Sequence, residues 1–296
     1  MIVKKINDNG IAFTLNDPSN PDYYCPANIY VLIGDEYFFL NDGYFGSEIL
    51  KDIVNSLEKE FGNKLYVLFN SHWHWDHLRG NTFFEDATIL SHQLTKKTIV
   101  ENNKDKSKVN AKYMKRKIVL PNLTFENEYS DYKDENIIFF HSPGHTEDSS
   151  TCYDLKNNVL FAGDNVEYPL PYVTSSDLST YISTLKKYLE YPVEIVIPSH
   201  GYVTDKKLIE SNLRYLESFP EIESNMYTNE TKNSFLMGTI KNLSTVGDDY
   251  FTKNDLENAI IYYKKIVSIN KKENILSEEE LKIHKAKLNE IIEKLK

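Results

Sequence analysis

The chain has 296 residues, of which 41% are hydrophobic and 26% charged, with a formal net charge of −10. This is the composition of a globular protein with one large core, or one domain and an extension, and it excludes a disordered polymer. The acidic balance and lack of a basic stripe argue against nucleic acid, whose phosphates are neutralised by Lys and Arg. The strongest basic stretch, Lys112 to Lys117, is short and reads as surface.

No apolar run approaches 18 residues, so no membrane span is expected, and MIVKKINDNGIAF lacks the apolar run of a signal peptide. Only Cys25 and Cys152 are present; a disulfide between them is open, but two lone cysteines favour reduced thiols and a cytoplasmic setting.

In chain order, Ile11 to Leu15 reads as a short strand. Asn28 to Ile33 and Glu36 to Leu40 flank the turn Gly34-Asp35 as a hairpin. Ile49, Leu50, Ile53, Val54, Leu57 and Phe61 recur at helical spacing between Ser47 and Gly62. Lys64 to Phe69 (KLYVLF) is a buried-type strand. Strands follow at Thr88 to Leu90, Ile137 to Phe140, Thr151 to Asp154, Val159 to Phe161 and Glu194 to Ile197, with helices over Gln93 to Glu101, Leu178 to Leu189 and Asp205 to Ser218. Strands alternating with helices imply a layered α/β fold. The polar run Glu101 to Asn110 reads as a loop.

Past Pro220 the character changes. Asn225 to Asn233 reads as a linker and Asp255 to Lys296 as helical, giving two domains, 1–224 and 225–296. Tyr250 to Asn270 resembles one tetratricopeptide-type helix pair, but a solenoid needs about three repeats. A helical hairpin covering its apolar face against the main domain, or against a second copy in a homodimer, is the plainer expectation.

The strand KLYVLF runs straight into Ser71-His72-Trp73-His74-Trp75-Asp76-His77. Four groups of metal-ligand type within six residues would repel or stay unsatisfied without a cation. In extended backbone His72 and His74 share a face and can reach one ion, while Asp76 and His77 can turn toward a second. Trp73 and Trp75, alternating with them, are expected to point into the sheet core and brace the loop.

This cluster resembles the signature of the metallo-β-lactamase superfamily, and further stretches resemble its other motifs in order: Asn41-Asp42-Gly43, Pro143-Gly144-His145-Thr146, Phe161-Ala162-Gly163-Asp164 and Pro198-Ser199-His200-Gly201. The resemblance spans about residues 1 to 220. It implies an αββα sandwich, here with a C-terminal helical extension. It also implies one metal site of His72, His74 and His145, a second of Asp76, His77 and His200, Asp164 bridging the two, and Asp42 supporting them from behind. Asp76 would additionally orient the attacking water. The ligand types suit two zinc ions, with manganese or iron as alternatives. Two such ions lower the pKa of a shared water toward ~7, so hydroxide is available at neutral pH.

A histidine at position 74, where flavodiiron relatives carry glutamate, argues against oxygen reduction, and aspartate at 164 argues against the mixed-site β-lactamases that carry cysteine there. The segment Asn165 to Tyr172 departs from the pattern of glyoxalase-type thioesterases. The expectation is therefore a hydrolase of a small carboxylic ester, thioester or lactone. β-Lactam and phosphodiester substrates are the alternatives, and a non-catalytic metal-bearing scaffold is the alternative of another class. Tyr44, Tyr168 and Tyr172 lie near the motifs and are candidates to wall the pocket or donate to an oxyanion. His92, His141 and His284 read as structural, and Ser149 and Ser150 lack the partner set of a nucleophile.

Overall fold

The computed structural model describes residues 1–16, 25–44, 47–104, 119–132, 135–221 and 226–296. The basic stretch Lys112 to Lys117, residues 105–110 of the polar run and Asn225 lie outside the described residues. The chain forms two compact units: one of Met1–Pro143, Glu147–Asn165 and Leu189–Lys206, the other of Gly144–Thr146, Val166–Tyr188 and Lys207–Lys296.

The first unit holds two sheets. Strands β1 (Ile2–Asn7), β2 (Gly10–Leu15), β3 (Ala27–Ile33), β4 (Tyr37–Asn41), β5 (Leu65–Asn70), β6 (Thr88–His92) and β7 (Leu123–Phe125) follow one another in spatial order. The first four pair antiparallel and β4 to β7 pair parallel. The second sheet runs β12 (Ile195–Pro198), β11 (Val159–Gly163), β10 (Ser150–Asp154), β9 (Ile137–His141), β8 (Glu128–Tyr129). Between β4 and β5 lies helix α1 (Ser47–Phe61), and α2 (Gln93–Lys104) follows β6.

Side chains alternate across each strand, so one strand feeds two cores. Tyr30, Leu32, Phe39, Val67 and Phe69 meet Ile137, Phe139, Cys152, Phe161 and Ile197 between the sheets, with the Phe69 and Phe139 rings 4.8 Å apart. Their neighbours Val31, Phe38, Leu40 and Leu68 face outward onto Leu50, Ile53 and Leu57 of α1, the helical stripe visible in the sequence. Cys25 and Cys152 are both free thiols.

Three strands were not legible from pattern. β7 and β8 are very short, and β1 is an edge strand with mostly exposed residues whose Lys4 and Lys5 hide any alternation. Charged residues are how edges resist further pairing. The hairpin at Gly34-Asp35 is present, closed by Gly34 N–H donating to Tyr37 O at 2.9 Å.

The second unit contains α3 (Leu178–Glu190), α4 (Lys206–Ser218), α5 (Lys232–Thr252), α6 (Leu256–Glu273) and α7 (Glu278–Leu295), the ends of α3 and α4 reaching into the first. These compact units are grouped differently from a division at residue 224: α4 and the segment after Asn165 fall with the C-terminal helices. The reason is a set of buried amides. Asn242 of α5 accepts from Val173 N–H at 3.0 Å and donates to Pro171 O at 2.8 Å. Asn212 of α4 accepts from Glu167 N–H and donates to Glu167 O, both at 2.9 Å.

The helix pair expected over Tyr250 to Asn270 is instead the end of α5 and most of α6. These two run antiparallel, Lys232 at the start of one meeting Glu273 at the end of the other at 2.6 Å. Gly247 lets them close, since a Cβ there would stand 2.9 Å from the Tyr263 ring. Gly238, Gly247 and the β-branched residues of α5 are also why no helix is read over 232–252 from sequence. α7 opens with a capping box, Ser277 and Glu280 exchanging hydrogen bonds.

Replacing Asn242 with Ala should strand the Val173 N–H and the Pro171 carbonyl, and also remove a 3.0 Å contact with the Tyr215 hydroxyl. A loss of roughly 2–3 kcal/mol is expected, read from urea unfolding monitored by far-ultraviolet circular dichroism.

Candidate metal centre

In the first unit, the candidate ligands follow the carboxyl ends of strands. Asp42 follows β4, residues 72–77 follow β5, Asp164 follows β11 and His200 follows β12. Neighbouring strand ends are tied together: Ser150 N–H donates to Ser71 O at 2.8 Å, and Ser199 N–H to Gly163 O at 2.9 Å. The side chains of Asn70 and Asn81 exchange two 2.9 Å hydrogen bonds at the root of the histidine loop. Gly163 has φ +58°, and a Cβ on it would lie 3.0 Å from Ser71 Cβ, so glycine lets the two ligand-bearing turns meet.

Two groups of ligand atoms result. One ligand atom each from His72, His74 and Asp164 lie within 4.8 Å of one another, and so do those of Asp76, His77 and His200. His72 Nε2 is 2.9 Å from His74 Nδ1. The Asp164 Oδ2 atom faces both groups, 3.7 Å from His72 Nε2, 3.3 Å from His77 Nε2 and 3.8 Å from His200 Nε2. Asp76 Oδ2 stands 3.5 Å from His77 Nε2 and 3.3 Å from His200 Nε2.

His145 belongs to the second unit with Gly144 and Thr146. Its Nδ1 donates to Tyr172 O at 3.0 Å, and its own carbonyl accepts from the Thr174 hydroxyl. With Nδ1 engaged, metal binding would fall to Nε2.

The residues present fit a divalent cation. Among the described residues His77 Nε2 is fully buried without a well-formed hydrogen bond, although Asp164 and Asp76 oxygens stand 3.3 and 3.5 Å from it. Electrostatics agree. Burial pushes the His77 and His200 imidazoles down, but Asp164 above all, with Asp76, lifts both well above the ordinary range. Burial pushes the Asp76 carboxyl up, yet His77 and His200 hold it at about 2. The carboxylates thus favour positive charge at these imidazoles, which is the charge a cation would supply.

Asp42 is the fixed point behind this set. Its oxygens accept from Ser71 N–H at 2.7 Å, Ser71 Oγ–H at 2.8 Å, His77 Nδ1–H at 2.7 Å and Ser199 Oγ–H at 2.8 Å. Tyr44 is buried, its ring edge-on to His200 at 5.1 Å and to His77 at 6.1 Å, so it backs the second group. Tyr168 is 66% exposed in the second unit, and Tyr172 serves there through its carbonyl, with Lys241 Nζ 4.3 Å from its ring centre.

The structure corrects the reading of the tryptophans. Trp75 is exposed, with the Arg79 guanidinium 4.0 Å over its ring, and Trp73 is half-buried with its ring 4.7 Å from that of His74. β5 ends at Asn70, so the strand alternation that would send both rings inward has already stopped. Arg79 itself was not singled out from sequence. His92 and His141 are structural, their rings stacked at 3.9 Å and their Nε2 atoms paired with the Glu126 and Glu147 carbonyls.

The family model described as "Metallo-beta-lactamase superfamily" matches residues 23–200, more than half of the chain. The chain belongs to the metallo-β-lactamase superfamily. Among curated relatives of this superfamily member, a metallo-β-lactamase type 2 of Elizabethkingia meningoseptica is 26% identical over 165 residues, covering 54% of this chain and 60% of that protein. An atrochrysone carboxyl ACP thioesterase of Paecilomyces divaricatus is 26% identical over 205 residues, covering 68% of this chain and 56% of the other. The match therefore spans somewhat over half the length of these two relatives. The crystal structure of the DIM-1 metallo-β-lactamase exposed to ceftazidime aligns with a TM-score of 0.60 at 22% identity, over 73% of this chain and 96% of that one. A metallo-β-lactamase from Hirschia baltica aligns at 0.58 and 17%, with the same coverage. At these identities the likeness is one of fold: an αββα sandwich, to which α5, α6 and α7 add a helical extension.

Two outcomes follow from this superfamily site. Asp42→Asn keeps a residue tolerant of its left-handed backbone (φ 63°) but replaces one accepting oxygen, so metal affinity should fall about 10- to 100-fold in chelator competition. Metal uptake should also release protons, because the facing carboxylates raise the His77 and His200 imidazoles well above their ordinary range and a cation competes with those protons. Apparent affinity should accordingly weaken as pH falls, with calorimetric binding enthalpies that depend on the buffer's own heat of ionisation.

Proposed function

We propose that the chain is a metal-dependent hydrolase that attacks the acyl carbon of a small carboxylic ester, thioester or lactone. The observation carrying this is Asp164 Oδ2, which stands between two groups of imidazole and carboxylate ligand atoms in one buried centre. His145 is added to the first group on its motif, and the pinning of its Nδ1 by Tyr172 O supports a ligand role for Nε2.

Imidazole and carboxylate donors suit zinc, and two bound ions would supply hydroxide at neutral pH and polarise the scissile carbonyl. His72, His74 and His145 would hold the first ion, Asp76, His77 and His200 the second, with Asp164 shared. Asp76 stays ionised under the influence of His77 and His200. It is thus an acceptor that orients a water proton and keeps a lone pair aimed at the incoming carbonyl. Tyr44 is buried against the second group, and burial raises its phenol so that it stays a neutral O–H.

The names of the relatives favour an acyl substrate over a phosphodiester, since one denotes a β-lactamase and the other a thioesterase. A strained cyclic amide is the second reading, carried by the β-lactamase relatives. Free Cys25 and Cys152 support a reducing compartment.

Elemental analysis of protein purified without chelator should find about two metal ions per chain, as the two groups require. The zinc- and manganese-loaded protein, tested on an ester, thioester, lactone, β-lactam and phosphodiester panel, should turn over an acyl substrate. Asp76→Ala should lower that rate at least about a hundredfold with an unchanged circular dichroism spectrum. Turnover of the phosphodiester alone would refute the substrate class, and a metal content below one would refute the centre.

A further inference from the structure

The loop that carries His200 is bound along its length to the residues entering β3. Asn28 N–H donates to Ser199 O at 2.8 Å, and Asn28 Nδ2 to Pro198 O at 2.8 Å and Gly201 O at 2.9 Å. Gly201 N–H donates to Pro26 O at 2.7 Å. The Asn28 amide is itself oriented by the Thr14 hydroxyl, 2.6 Å from its oxygen. Beside this frame, Cys25 Sγ lies 3.5 Å from His200 Nδ1, within hydrogen-bond reach for sulfur. The other nitrogen of the ring, Nε2, faces Asp76 and Asp164.

A metal on Nε2 places the ring's proton on Nδ1, and this part-buried N–H points at the sulfur of Cys25 as its acceptor. The corresponding acceptors for three other imidazoles are oxygens: Asp42 Oδ2 for His77, Ser71 Oγ for His72 at 3.0 Å, and Tyr172 O for His145. For His200 the group in reach is a thiol. Sulfur is a weak acceptor, so this imidazole is held less firmly than the others.

We propose that Cys25 is a positioning residue, its sulfur accepting the His200 Nδ1–H and setting the ring for the ion shared with Asp76 and His77. The proposal rests on the ligand role assigned to His200 above. It makes the second ion the weaker of the two, and it makes the affinity of that ion depend on the atom at position 25.

The test is metal titration against a graded chelator for the full-length wild type, Cys25→Val and Cys25→Ser. Valine fills the space without an acceptor and excludes water; serine keeps an acceptor. Cys25→Val should weaken the second ion about 10- to 100-fold and leave the first unchanged, while Cys25→Ser stays within about threefold of wild type. A Val variant that binds both ions like wild type, or a Ser variant as weak as Val, overturns the proposal. Should Cys25→Val fail to fold, the wild type decides. Its zinc-loaded form should show a slowly exchanging His200 Nδ1–H resonance that moves in Cys25→Ser, and free exchange of that proton with solvent overturns the proposal. A wild type that takes up fewer than two ions overturns the ligand assignment of His200 as well, and shows this before any substitution at Cys25.

Discussion

The arrangement of the metal centre depends on one buried carboxylate. Asp42 has no solvent exposure and stands where β4 has just ended, in a left-handed conformation that aims both oxygens across the sheet edge. A charge in such a place is costly unless nearly every lone pair is used. Here the donors come from Ser71 after β5, from His77 and from Ser199 after β12. The need to satisfy Asp42 therefore fixes the relative positions of three strand ends and of one imidazole. A candidate ligand set assembled this way would be formed by the fold rather than by an ion.

The same logic makes this cluster of buried ionisable groups costly. His72 and His77 are almost fully buried and Asp164 nearly so, within a few ångströms of one another. Stability would be better served by apolar side chains, since a buried ionic cluster repays its desolvation only with good geometry. The sequence accepts this cost at one edge of the sandwich while Phe39, Phe69, Phe139 and Phe161 fill the adjoining layer between the sheets. Retaining so many ionisable groups in one place is the mark of a site built for chemistry.

Much of this was readable in the sequence because the signals are local. The ligand-bearing loops each follow an apolar strand, and KLYVLF passing through Asn70-Ser71 into His72-Trp73-His74-Trp75-Asp76-His77 states both in fourteen residues. The illegible parts are those where distance along the chain defeats pattern. Cys25 and His200 are 175 residues apart, and nothing in either neighbourhood announces the other. Trp73 and Trp75 were misread because strand periodicity was carried past the strand's end. Helix α5 was hidden because Gly238 and Gly247 weaken helix propensity, whereas in the folded unit they admit Leu170 and the Tyr263 ring. The grouping of α4 with the C-terminal helices depends on buried asparagines, and sequence cannot distinguish those from solvated ones.

Helix α5 contributes no candidate ligand, yet its Asn242 grips the backbone at Pro171 and Val173, the residues on either side of Tyr172, whose carbonyl holds the His145 ring. One imidazole is thereby hung from a helix almost a hundred positions further along the chain. Laboratory evolution confined to the histidine loops would leave this lever untouched. Variation in α5 would act on that imidazole through the backbone at residues 171–173, without touching any candidate ligand.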